Sequence, residues 1–469
     1  MAEQRRHYKT KPEDRIPLTE KIAYSAGAAP LGAGMQIVNQ MSNVVLNMCL
    51  GLSPILIGLV MSAFRFWDAL TDPVMGAVSD NTRSRWGRRR PYLVIGSVLS
   101  AIVFPLIWMF SREWSATAIF LYFMIMCMIY YTCDTVFGVP YFSLATEMTP
   151  DYHERTRLIS LRAFANKLVA IGAGWLLSLV TLDYFKDELD GMRFVSFGVS
   201  IMFLTLGIIP AIFVKERYSK QASMQKKTPL LKSIGVTLKS KPFLMLLSMV
   251  LLMVVATQMV GSLGLYLNIF YVNGADKAAA GKFVGLGTTG AMILSIISIP
   301  FYNMLSARLG KTVALKINLW FFFVANALTW FLVNQNYPYL IVVNIILQGP
   351  AITGVWILLP SMQTDICDWD ELQTGKRREG SYSSVFSWIN KTGGSLSFLV
   401  ANSILVAAGF NVKFGAEQIG NTFLIMRILY AALPITANII ILIILSRYPL
   451  TEQRCHDIRA ELEVRRGKV

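Results

Sequence analysis

Twelve times along this chain the sequence stays apolar for long enough to cross about 30 Å of hydrocarbon. The runs fall at 25–50, 54–79, 92–110, 115–145, 158–182 and 193–214, then at 242–271, 280–306, 312–333, 338–363, 382–407 and 422–446. Helices apolar over such lengths have to face lipid or one another. Composition agrees, since 54% of the residues are hydrophobic and only 15% charged, where a soluble domain carries about 25% charge. The pattern specifies an all-α polytopic membrane protein of twelve transmembrane helices.

The net charge of +16 is topological and does not point to nucleic acid. With the N-terminus inside, 32 of the 44 Lys and Arg fall in inner segments. Only Arg112, Lys186, Lys277 and Lys413 fall in outer loops. That asymmetry places both termini in the cytoplasm and the chain in the cell membrane, the inner one in a Gram-negative bacterium. The first residues are polar and basic, unlike a cleaved signal. The five cysteines lack metal-ligand spacing, and the three histidines lie at inner positions. Neither a His-based metal centre nor a resident cofactor is expected.

The two halves echo each other. An N-terminal tail (1–24) precedes a six-helix bundle (25–214). A basic linker (215–241) leads to a second bundle (242–446) and a C-terminal tail (447–469). Pro73 and Pro300 sit near the ends of spans two and eight, Pro140 and Pro360 near those of spans four and ten. Two pseudo-symmetric six-helix bundles around a midplane site form the architecture of many secondary transporters.

Charges inside the spans are costly, about 2.5–3.5 kcal/mol each at a helix centre, so they mark function or close pairing. Asp68, Thr71 and Asp72 share one face of span two with Arg65 just ahead. Asp134 on span four and Lys391 on span eleven lie at a similar depth. Carboxylates and hydroxyls, here Asp68, Asp72, Thr71 and Thr135, are the hard oxygen ligands sodium favours, with Lys391 standing in when the ion is absent. A plainer reading is a set of ion pairs that pin helices together.

The substrate side is polar and mostly uncharged. Gln36, Gln40, Asn43 and Asn47 form a stripe on span one, and Arg162 and Asn166 share a face of span five. With Asp134, Trp356 and Phe142 they offer amide edges and flat apolar surfaces suited to a polyhydroxylated ring. Asp80, Arg83, Arg88 and Arg89 after span two, and Arg377 and Arg378 after span ten, are expected to work as gate latches. The stretch 364–382 reads as a loop of alternating acids and bases.

"RFWDALTDP" with "TRSRWGRRRPY", together with "VPYFSLATEMTPDYHERTRL" and "TDICDWDELQTGKRREGSY", resembles the glycoside–pentoside–hexuronide:cation symporters. These are the melibiose-permease-like family of the major facilitator superfamily, and the resemblance covers nearly the whole chain. It implies the major facilitator fold and sodium- or proton-coupled sugar symport by alternating access. Asp68 and Asp72 match the family's cation-binding carboxylates, Thr71 an asparagine ligand, Thr135 a threonine and Lys391 the lysine beside them. Arg65 matches a neighbouring arginine, Arg162 a sugar-site arginine and Trp356 a sugar-site tryptophan. The chain departs from the family at Gly138, where a specificity carboxylate is usual, at Leu31 and Gly32, which replace a Lys-Asp pair, and at Phe142, which replaces a tryptophan. The partners so implied are a sugar-like small molecule, a monovalent cation and the bilayer, with the protein a monomer and not an enzyme. An amphiphile such as a lysolipid is the alternative cargo, and a non-transporting membrane sensor the alternative role.

Overall fold

The computed structural model describes residues 15–149, 152–217, 240–375 and 378–466, and every regular element among them is a helix. The first part of the chain forms α1 (Leu18–Ala26), α2 (Ala28–Ser42), α3 (Pro54–Asn81), α4 (Arg90–Leu106), α5 (Ala116–Met148), α6 (Tyr152–Gly174), α7 (Leu176–Val180) and α8 (Glu188–Phe213). The second part forms α9 (Lys241–Tyr266), α10 (Lys277–Leu309), α11 (Lys311–Leu332), α12 (Leu340–Thr374), α13 (Glu379–Ala407), α14 (Thr422–Ser446) and α15 (Glu452–Arg466). Most of the 215–241 linker lies outside the described residues.

Among the described residues, nine helical stretches are long and apolar enough to cross a bilayer. The remaining three expected crossings fall short for local reasons. The first is interrupted at Gly27, between α1 and α2, and loosens into a π-helical segment at Asn43–Cys49. The fourth helix, α4, has 17 residues, or about 25 Å at 1.5 Å per residue. The thirteenth, α13, is diluted by serines, Asn390, Lys391 and Thr392.

Several helices overrun the hydrophobic runs that mark them. α12 continues to Thr374, so "TDICDWDELQT", expected as loop, is the helix's final three turns. No proline or glycine interrupts that stretch, and it ends only at Gly375, whose φ of +66 makes a left-handed cap. Hydrophobicity marks where the bilayer stops; it does not mark where the helix stops. Pro73, Pro140, Pro300 and Pro360 all lie inside helices, Pro73 and Pro300 at 8 and 9 residues from their helix ends. A second π segment, Leu267–Val272, extends α9 as the first extends α2.

The chain divides into two compact units. The first comprises Met1–Met41, Trp67–Ala173 and Lys186–Lys226. Its core packs Tyr24, Leu93, Phe137, Tyr141, Leu144, Met148, Leu158 and Val214. Tyr24 and Tyr141 stack at 4.6 Å, and each hydroxyl donates to the other residue's carbonyl. Gly96 lets α4 lie against the backbone of Phe137, where a Cβ would come within 2.6 Å of its nitrogen. The second unit comprises Ser42–Phe66, Gly174–Phe185 and Lys227–Val469, so pieces of the first, second and fifth spans belong to it. Its core runs through Phe243, Met249, Phe322, Leu358, Ile366 and Tyr382 and takes in Ile458 and Leu462 of α15.

Candidate transport site

In the first unit, α3 presents Asp68, Thr71 and Asp72 on one face, and α5 brings Thr135 against them. The Thr135 hydroxyl lies 3.1 Å from Asp68 Oδ1 and 3.5 Å from Asp72 Oδ1. The Thr71 hydroxyl is 3.1 Å from that of Thr135 and also 3.1 Å from the carbonyl of Asp68. One turn away, Trp67 Nε1 donates to Thr132 Oγ1 at 2.9 Å, which fixes the register of the two helices. Asp68 is buried, whereas Thr71 and Asp72 are half-buried. Two carboxylates and two hydroxyls thus converge around Thr135, all of them hard oxygen donors. Carboxylate and hydroxyl oxygens suit an alkali cation or a proton better than a transition metal. Asp134 precedes Thr135 and stands about 100° around α5 from it, half-buried.

A second polar group of this unit centres on Arg162 of α6. Its guanidinium carbon sits 4.9 Å from the centroid of the Phe142 ring, a cation–π distance. Arg162 Nε is buried with no hydrogen-bond partner among the described residues. Asn166, one turn on, lies against α2, where a Cβ on Gly32 would come 2.9 Å from its Oδ1. Gln36 and Gln40 are half-buried on α2.

The amide stripe of the first span is divided in two. Gln36 and Gln40 belong to the first unit, but Asn43 and Asn47 belong to the second and are buried there. Asn43 Nδ2 donates to Ser262 Oγ at 3.2 Å, and Asn47 Oδ1 accepts from the Tyr266 hydroxyl at 2.8 Å. Both asparagines lie in the π segment, and both partners lie on α9. Asn43, expected at the substrate, is therefore engaged in a seam between the first and seventh spans. Trp175 reinforces that unit by donating to Thr289 Oγ1 at 3.1 Å. Arg65 is buried in the second unit, where Lys391 and Trp356 are partly exposed.

Four of the latch residues, Asp80, Arg88, Arg89 and Arg378, are pinned within their own units. Arg88 and Arg89 both reach Glu147 Oε1 of α5, at 2.5 and 3.0 Å. Arg89 also pairs with Asp80 at 2.5 Å and donates to Ser79 Oγ. The carboxylate of Glu216 accepts the backbone N–H groups of Arg88, Arg89 and Arg90 at 2.7–3.1 Å, capping α4. Gly87 has φ +106, and a Cβ there would strike that carboxylate. Arg90 in turn caps the last carbonyls of α8, Ala211 and Ile212. In the second unit Arg378 grips both oxygens of Asp370, and Lys311 pairs with Asp365 at 2.6 Å. Arg83 is exposed, and Arg377 lies outside the described residues. Glu147 and Glu216 were not singled out in the sequence. The one available signal was that three consecutive arginines next to a helix start need acidic partners nearby.

Repeated long apolar helices with a carboxylate–hydroxyl cluster set between two of them mark a multi-pass membrane protein. The chain belongs to the MFS/sugar transport protein family, whose sequence profile matches residues 23–452. This bears out the resemblance to the glycoside–pentoside–hexuronide:cation symporters. It is 24% identical to a glucuronide carrier protein homolog of Escherichia coli, over 87% of each chain. It is 20% identical to a sodium-dependent lysophosphatidylcholine symporter of Gallus gallus, over 96% of this chain and 90% of that one. Among solved structures, a D-xylose–proton symporter superposes with a TM-score of 0.63 at 13% identity, covering 90% of this chain and 96% of the other. That likeness establishes the major facilitator fold.

Proposed function

We propose that the protein is a secondary active symporter that couples a monovalent cation, sodium or a proton, to the movement of a sugar by alternating access. The convergence of Asp68, Asp72, Thr71 and Thr135 on one point carries this reading. A sodium ion would replace the hydroxyl-bridged contacts with direct oxygen ligands. A proton would instead neutralise one carboxylate of the pair. Either event removes charge from the site and so links its occupancy to the conformation of the helices that carry it.

The sugar is a glycoside, pentoside or hexuronide. Arg162 orients it, its guanidinium donating to a hydroxyl or to an acid group. Asn166, Gln36 and Gln40 supply amide edges, and Phe142 an apolar face. Asp134 accepts hydrogen bonds from the sugar's hydroxyls. The relatives named for glucuronide and for glycoside/cation transport favour this substrate class. No resident cofactor takes part, the protein acts as a monomer, and both termini face the cytoplasm.

Relatives named for lysophosphatidylcholine favour an amphiphile as the second reading. One experiment separates the two. Purified protein in proteoliposomes is offered labelled glycosides, uronides and lysophosphatidylcholine under imposed sodium and proton gradients. The expected result is accumulation of at least one sugar above equilibrium under one gradient. Gradient-driven uptake of the lysolipid alone would overturn the sugar assignment.

A further inference from the structure

The loop 82–89 between α3 and α4 splits its basic residues into two groups. Arg88 and Arg89 turn inward onto Glu147, with Glu216 fixing their backbone. Arg83, Arg85 and Trp86 turn outward and are exposed, Trp86 to 67%. Neither Arg83 nor Arg85 forms an ion pair among the described residues. The turn that presents them is held at both ends. Thr82 Oγ1 lies 2.6 Å from the Tyr92 hydroxyl, and Ser84 accepts the backbone N–H groups of Trp86 and Gly87.

The surroundings say what meets that surface. Leu70, Val74 and Val78 form an exposed apolar stripe at four-residue spacing down α3 to the loop. Ile95, Leu99 and Ile102 form another going up α4. Both helices that leave the loop therefore present lipid-facing stripes, and the loop lies where they emerge from hydrocarbon. The equivalent place in the second half is a single residue, Gly310, between α10 and α11, so the fold does not require an exposed Arg-Ser-Arg-Trp turn there.

We propose that Arg83, Arg85 and Trp86 form a binding site for the headgroup of an anionic phospholipid in the adjacent leaflet. The guanidinium groups take the phosphate oxygens as charge-assisted hydrogen-bond acceptors. Trp86 inserts at the headgroup–acyl boundary, where an amphipathic ring is most stable. The pinned half of the loop holds these groups at a fixed height, so lipid charge acts on the same turn that ties α3, α4 and α5 together.

The test is native mass spectrometry of the full chain released from nanodiscs of phosphatidylcholine with or without phosphatidylglycerol. The parent is expected to retain phosphatidylglycerol in preference to phosphatidylcholine. Neutralising the pair, Arg83→Gln with Arg85→Gln, is expected to weaken retention by about fivefold per arginine. Arg83→Lys with Arg85→Lys should keep most of it, and Trp86→Ala should weaken it without changing the melting temperature. Lys215→Gln with Lys241→Gln, which neutralises two other exposed cations, should leave retention unchanged. Equal retention by parent and glutamine pair would overturn the proposal. So would an equal loss on neutralising Lys215 and Lys241, since diffuse basic charge would then suffice.

Discussion

α3 and α5 meet at two acidic rungs of one ladder, and the groups that bridge the two rungs differ in kind. Asp80 and Glu147 lie 12 residues beyond Asp68 and Thr135 on the same helices, about 18 Å further along. At the lower rung the carboxylates are met by guanidiniums: Glu147 is 1% exposed and shared by two arginines, one of which also holds Asp80. At the upper rung Asp68 and Asp72 are bridged by a threonine hydroxyl. Permanent counter-charges make a pin. In the proposed reading, the hydroxyls belong to a ligand set that a passing cation completes and then leaves.

The most disruptive way to break this contrast is at the pin. Glu147→Gln leaves Arg88 without its carboxylate and Arg89 with Asp80 alone at a buried site, and is expected to cost about 3–5 kcal/mol, read as loss of folded protein or a large fall in melting temperature in detergent. Asp72→Asn at the other rung is expected to leave the melting temperature unchanged or raised. If both changes destabilise alike, the two rungs do the same job.

A subtler change sharpens the upper rung. Thr135→Val keeps the shape and removes the bridging oxygen, so apparent affinity for the coupling cation should weaken about tenfold, measured as the cation concentration giving half-maximal uptake. The second unit offers a milder pin for comparison. Lys311 and Asp365 are both partly exposed, so Lys311→Met should cost about 1 kcal/mol, well below Glu147→Gln in the same melting assay.

The smallest effect concerns pH. Burial pushes the Glu154 carboxyl up, but the Lys21 ammonium at 2.5 Å, the Ile16 N–H and Arg157 outweigh it and hold it below the usual carboxylate range. Asp187, at the start of α8, is likewise held low: burial is outweighed by the Asp190 N–H and Arg112. A lowered carboxyl stabilises the fold fully at neutral pH. That contribution declines once pH drops below the unfolded-chain value, about 4, and is gone below the folded value. Glu154→Gln should flatten the acid limb of the melting-temperature profile. An unchanged limb would contradict the assignment.

Much of this was legible before any coordinates. Twelve apolar runs fixed the helix order, and paired prolines exposed the repeat. Spacings of three and four put Asp68, Thr71 and Asp72 on one face. What stayed hidden follows from what periodicity measures. The 3.6-residue rule carries Asn43 and Asn47 onto the face of Gln36 and Gln40, but the π segment changes the winding just there and sends the two asparagines to Ser262 and Tyr266. The inner end of α12 reads as loop because it is acidic, although only Gly375 can end it. Glu147 and Glu216 are ordinary acids in sequence, and burial against arginines from another helix gives them their role.

The most direct test places Asp68→Asn and Asp72→Asn proteins in proteoliposomes with a transported sugar and an imposed cation gradient. The parent should concentrate the sugar, while each variant should still exchange it across the membrane but equilibrate without concentrating it. Accumulation by either variant to the parent's level would show that these carboxylates do not couple the ion to the sugar.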